Sequence, residues 1–164
     1  MKNNIHSLRS SYREALLEHL FIGELLRHLW KLGRFVEVLK PQVDDAGYDV
    51  CLESNGVIRH VQLKASFVKS KTARQNVHLN LAEKPSGCIV WIRFDTETLD
   101  LVSFGWFGGK PGKPLPSLLE LKKAKHTKGD STGKKLERPM IRVIPKARFE
   151  EVKTIEDLAE RLFG

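Results

Sequence analysis

Cysteine and long apolar runs are what this chain most lacks. Its two cysteines, Cys51 and Cys88, stand far apart and give no spacing suited to a zinc site. Each lies inside an apolar, strand-like run, where a buried free thiol in a reducing cytoplasm is expected. No apolar run approaches the ~20 residues of a membrane span. The opening residues Met1, Lys2, Asn3, Asn4, Ile5 and His6 lack the apolar core of a signal peptide. A cytoplasmic protein with no membrane partner is therefore expected. Internal repeats and low-complexity linkers are also missing. What remains is ordinary for a globular chain, 41% apolar and 29% charged over 164 residues, and fits one domain over 1–164.

Charge is the first positive signal, and its position says more than its total of +8. Residues 110–148 hold 12 Lys/Arg against 3 Asp/Glu, while the remainder holds 16 against 17. A concentrated basic segment suits a polyanion, because neutralised phosphates release their counterions. Lys122, Lys123, Lys125, Lys128, Lys134 and Lys135 are its candidate phosphate contacts. Lys69, Lys71 and Arg74, in a polar stretch at 66–75 expected to be a mobile loop, are three more. A solvated basic loop without a ligand is the plainer alternative.

Periodicity gives the elements. Residues 7–32 read as one long helix, with capping-box spacing from Ser11 to Glu14. Leu16, Leu17, Leu20 and Phe21 form an apolar arc at ~100° per residue. Glu24 falls inside that arc, whereas Glu14 and Glu18 project to its edge or beyond. A carboxylate on a core-facing stripe is costly unless paired or bound to a cation; Arg27, His28 or solvent would serve in place of a cation. Gly23 beside it would admit another backbone, and Gly33 is the expected C′ residue. Residues 34–39 read as a short strand or extended entry before Pro41. Asp44 and Asp45 follow as turn caps or extra ligands. Val77, Leu79 and Leu81 alternate as in a half-buried strand, with a turn or a single helical turn at 82–87. Residues 88–94 read as a strand buried on both faces, and 99–106 as its antiparallel return. The aromatic, glycine and lysine mixture at 104–114 is a rigid turn with core aromatics or a set of base-stacking rings. A short helix at 115–125, a loop at 122–135, a strand at 141–144 and a Thr154-capped helix over about 154–163 complete the chain.

The densest chemistry lies at 48–66. Asn55-Gly56 between two β-prone runs marks a two-residue hairpin turn. Ser54 then faces Val57, and Asp49 falls opposite Gln62. Lys64 becomes the diagonal neighbour of Asp49 on the same face, about 7–8 Å away. Asp49 and Gln62 present oxygens across the strand pair, and Glu24 can add another from the helix packed behind. Oxygen donors with water suit Mg2+ or Mn2+. Such an ion polarises a phosphoryl oxygen and activates water, while Lys64 would position that water or stabilise growing charge. A cross-strand ion pair of Asp49 and Lys64 is the structural alternative.

Gly47-Tyr48-Asp49, the hairpin, and then Val61-Gln62-Leu63-Lys64 resemble the PD-(D/E)XK nucleases, the restriction enzymes and Holliday-junction resolvases, in their Gln-X-Lys variant. Ile22-Gly23-Glu24-Leu25 followed by Gly33 is similar to the Gly-Glu on the first helix of resolvase-like members. The resemblance covers about residues 20–66. It implies an α/β fold with a restriction-endonuclease-like core over about 7–106, an N-terminal helix packed on a mixed central sheet with a β-meander. The family's second core helix would fall at 66–75 or 82–87. It also implies a metal-dependent endonuclease acting on nucleic acid, DNA foremost, with Glu24, Asp49 and Gln62 on Mg2+ or Mn2+ and Lys64 assisting. Many such nucleases dimerise, which raises a homodimer. Gln62 is neutral where most active members carry an acid, so a non-cleaving nucleic-acid-binding or assembly module of the same fold stays open. A toxin-like or defence-system subunit whose partner supplies specificity is a third reading.

Overall fold

The computed structural model describes residues 2–164 except Asp44, with side chains from Ile5 onward. Two helices come first, α1 (Lys2–Leu8) and α2 (Ser10–Lys31), where one had been expected. The break falls at Arg9, which makes no side-chain cap, so the Ser11–Glu14 box goes unused. Instead Arg13 Nη1 donates to the His6 carbonyl at 2.7 Å, satisfying an acceptor at the end of α1. At the far end Gly33 takes φ 67°. Its N–H reaches the Trp30 carbonyl and that of Arg34 reaches Leu29, the paired bonds of a left-handed C-cap.

The strands follow: β1 (Glu37–Leu39), β2 (Val50–Ser54), β3 (Val57–Phe67), β4 (Arg74–His78), β5 (Gly87–Phe94), β6 (Leu101–Gly108), β7 (Lys123–Lys125), β8 (Glu137–Pro145) and β9 (Glu150–Val152). Helix α3 (Ile155–Phe163) closes the chain. Thr154 caps it, its hydroxyl accepting from Asp157 N–H at 3.1 Å. Six strands form one mixed sheet in the order β1-β2-β3-β5-β6-β9, and β4-β8-β7 form a second. Only β3 and β5 run parallel. A parallel pair requires a long crossover, and here it contains β4 and a 3-10 turn, Leu79–Glu83. No α-helix occupies 66–75 or 82–87, the two places considered for a second core helix.

Other expectations are corrected. β3 continues to Phe67, so the basic loop shrinks to residues 68–73. The strand through Val77 stops at His78, whose Nδ1 accepts from Asn80 N–H at 3.1 Å and turns Leu79 and Leu81 into the 3-10 segment. The helix at 115–125 does not form. Pro114 and Pro116 hold the backbone extended, while Leu115 and Leu118 insert into a core. Gly23 is exposed, with nothing near its would-be Cβ. Cys88 is fully buried but Cys51 only half so, and both thiols are free.

The resulting fold is α/β, with the large mixed sheet packed on both faces. On one face lie Leu17, Phe21, Leu25 and Leu29 of α2, spaced by four so that they share a stripe. They meet Val50, Leu52, Val61, Val90, Ile92 and α3's Leu158 and Leu162. On the other, Val77, Leu81 and Ile144 cover Ile89 and Phe107. Phe104, Trp106 and Phe107 are all buried, which removes the base-stacking reading of 104–114. No helix among the described residues is long and apolar enough to cross a membrane.

Candidate functional site

The β2–β3 hairpin forms as the Asn-Gly pair requires. Asn55 has φ 52° and Gly56 φ 80°, Ser54 faces Val57, and the ladder holds to Val50 opposite Val61. At Asp49 the ladder slips. The Asp49 N–H bonds the carbonyl of Val61, already the partner of Val50, at 2.9 Å. Two residues thus face one, a local bulge that re-aims a side chain. The Asp49 carboxylate takes up the next rung itself, its Oδ2 accepting from Leu63 N–H at 2.6 Å. Asp49 is therefore not held directly opposite Gln62, as a continued register would have it.

Beyond this rung β3 runs on without β2 beside it, and a cleft of about 520 Å³ opens along its edge. Lys64 and Asp49 line it, with Leu63 and Ala65 on the floor. From one side α2 contributes Glu14 and Glu18, four residues apart and so on one face. From the other side β4 contributes Gln75. Glu18 is already paired with Lys40. The cleft therefore gathers three carboxylates, one ammonium and one amide at an open sheet edge.

Glu24 and Gln62 stand elsewhere. Glu24 lies six residues beyond Glu18, about 120° round the helix, and does not line the cleft. Partial burial pushes its carboxyl up; Arg27 pulls it down, and Asp100 and Glu156 raise it further. Its surroundings are thus α3 and the β5–β6 turn. Gln62 sits between Val61 and Leu63, which face α2, and pairs with Ile89 of the opposite core. Its Oε1 is buried with no hydrogen-bond partner.

The basic candidates are exposed: Lys69 and Lys71 in the 68–73 loop, Arg74 at the start of β4, and Lys122, Lys123, Lys125, Lys128, Lys134 and Lys135 on the second sheet and its loop. Lys123 lies 3.5 Å from Glu137. Arg142 is buried, its Nη1 donating to the Pro139 carbonyl at 2.6 Å, so its charge braces the fold. Asp45 is exposed and outside the cleft lining, and Asp44 lies outside the described residues. Gln75 carried no local sequence signal; it arrives through a tertiary return. Glu14 and Glu18 did carry one, their i, i+4 spacing.

Among the described residues no three His, Cys, Asp or Glu side chains gather closely enough to hold a metal ion. Mg2+, however, is commonly bound by one or two carboxylates with waters and substrate phosphates completing the shell. Asp49 with one α2 carboxylate meets that requirement in donor type. No protein-family model, curated protein or solved structure matches the chain.

Proposed function

We propose that this chain is a metal-dependent endonuclease of PD-(D/E)XK type, with a restriction-endonuclease-like core and nucleic acid, DNA foremost, as substrate. One observation carries the reading: the end of the β2–β3 hairpin and the α2 residues Glu14 and Glu18 line one cleft together with Asp49 and Lys64. Asp49 and Glu14 or Glu18 would hold Mg2+ or Mn2+, with Glu24 and Gln62 outside that set. The ion, when bound, supplies Lewis-acid polarisation of the phosphoryl group and a more acidic water. Lys64 stands where an ammonium can orient the attacking water and stabilise charge growing on phosphate oxygens. Gln75 can hydrogen-bond a phosphate from the opposite wall. Incubation with plasmid and Mg2+ or Mn2+ should nick or linearise it, and Lys64→Ala should abolish this. Cleavage unchanged in that variant would sink the assignment.

A second reading keeps the fold and drops the chemistry, leaving a nucleic-acid-binding module. It is favoured by Gln62, whose buried oxygen has no hydrogen-bond partner and which does not line the cleft. Salt-sensitive binding to DNA with no Mn2+ uptake would select it over the nuclease.

A further inference from the structure

The second sheet carries a device that the cleft does not use. β7 and β8 form a hairpin in which every residue from 125 to 140 is exposed. We propose that this hairpin is an arm that lies along double-stranded nucleic acid, holding the duplex by its phosphates and groove while the cleft engages one strand. The inference rests on the nucleic-acid reading above and adds the form of the substrate.

Charge comes first. Lys122, Lys125, Lys128, Lys134 and Lys135 project from the arm or its base, and Lys123 alone among its lysines is neutralised, by Glu137. Among the described residues no carboxylate lies within ion-pair reach of Lys128, Lys134 or Lys135. Order comes second. At the tip Asp130 Oδ1 accepts from the Thr132 N–H at 2.8 Å, the Thr132 hydroxyl at 2.6 Å and the Lys134 N–H at 3.0 Å. The tip backbone is therefore a hydrogen-bonded turn, with Lys128, Lys134 and Lys135 exposed on and beside it. At the base, the buried Arg142 bonds the Pro139 carbonyl three residues back on its own strand.

Composition then separates duplex from single strand. No Phe, Tyr or Trp stands between Phe107 and Phe149, and Phe107 is buried. Single-strand binders need aromatic faces on which bases stack; this arm has none. A two-stranded β-ribbon, by contrast, fits the major groove. The spacing to the cleft agrees. Gln75 of the cleft pairs with Ile144, and Glu137 lies seven residues back along β8. At ~3.4 Å per residue that is about 24 Å, the length of about seven base pairs at the 3.4 Å per-strand charge spacing.

Fluorescence anisotropy in EDTA, with a labelled 20-base-pair duplex and one of its strands, tests the arm. The duplex should bind at least tenfold more tightly than the strand. The triple variant Lys128→Ala/Lys134→Ala/Lys135→Ala should lower the slope of log K against log salt by about 2.7, and Lys153→Ala, outside the hairpin, should not match it. A strand bound as tightly as the duplex, or a slope unmoved by the triple variant, would overturn the arm and leave nucleic-acid binding standing. Absence of binding to either form at low salt would overturn both.

Discussion

Replacing Arg59 by methionine should destabilise the protein by about 2–3 kcal/mol, from the following balance. Arg59 lies on β3 and is fully buried. Its Nε donates to the Leu162 carbonyl at 2.7 Å, and its Nη2 to the carbonyls of Arg161 at 2.8 Å and Gly109 at 3.0 Å. Two of these acceptors belong to the last turn of α3, whose carbonyls have no helical partners and sit at the negative end of the helix dipole. The guanidinium also stacks 5.3 Å from the Trp106 ring centre. Three hydrogen bonds to a charged donor are worth about 1.5 kcal/mol each, or about 4–5 in all. Against this stands the cost of burying a cation without a carboxylate, several kcal/mol after relaxation. That cost is visible in the lowered pKa, caused first by burial, and in Nη1, buried without a partner. Methionine fills similar space and removes that cost, but it also leaves three carbonyls without a donor, a further penalty of about 1–3 kcal/mol, so a net loss of about 2–3 kcal/mol remains. Urea unfolding reads it as a midpoint about 1–2 M lower at m ~1.5–2 kcal/mol/M. A midpoint unchanged or higher would show that the desolvated charge outweighs the clamp it makes on α3.

Three further outcomes are expected. Burial pushes the Cys88 thiol up to about 12, so it should resist alkylation at pH 8 until the protein unfolds. The unfolded thiol ionises first, so stability should fall as pH rises from about 9 towards 12, by about 1.4 kcal/mol per unit from this group; a Cys88→Ala variant showing the same slope would contradict this. Gly56→Ala forces a side chain to φ 80° and should cost about 1 kcal/mol in thermal or urea melts; no loss would refute the turn geometry. Glu24→Gln should leave plasmid cleavage intact and slightly stabilise the protein at pH 7. A raised carboxyl destabilises only once pH exceeds its unfolded value, so this advantage should vanish below about pH 4. Cleavage lost in Glu24→Gln but kept in Glu18→Gln would reverse the assignment of helix carboxylates.

Local signals carried far in this chain where the backbone itself decides the conformation. Asn55-Gly56, Gly33 and Thr154 each demand one geometry, and each adopts it. Cys88 to Phe94 reads as a two-sided buried strand because both packed faces are apolar. The crossover between β3 and β5 was illegible for the opposite reason. Its polar residues 66–75 have no clear periodicity, and β4, which begins at Arg74, exists because β8, far along the chain, pairs with it. The site was half legible. Asp49 and Lys64 follow from the hairpin register, but the one-residue slip at Asp49 depends on where β2 ends. That slip sets the acid on the Leu63 N–H and breaks its direct pairing with Gln62. Glu24 is the sequence candidate because it lies on the apolar arc. The stripe that is buried, Leu17, Phe21, Leu25 and Leu29, instead leaves Glu14 and Glu18 at its margin beside the open edge of β3. On the proposed reading, a metal-binding carboxylate must reach both the sheet edge and solvent, and the margin allows that.

Mn2+ calorimetry on the wild type, Asp49→Asn and Glu24→Gln tests the cleft most directly. Asparagine keeps an oxygen for the Leu63 N–H, so the fold is retained while the charge is lost. The wild type and Glu24→Gln should bind Mn2+ alike, and Asp49→Asn should bind at least tenfold more weakly. Binding unaffected by Asp49→Asn, or absent from the wild type, would contradict a metal-dependent nuclease centred on this cleft.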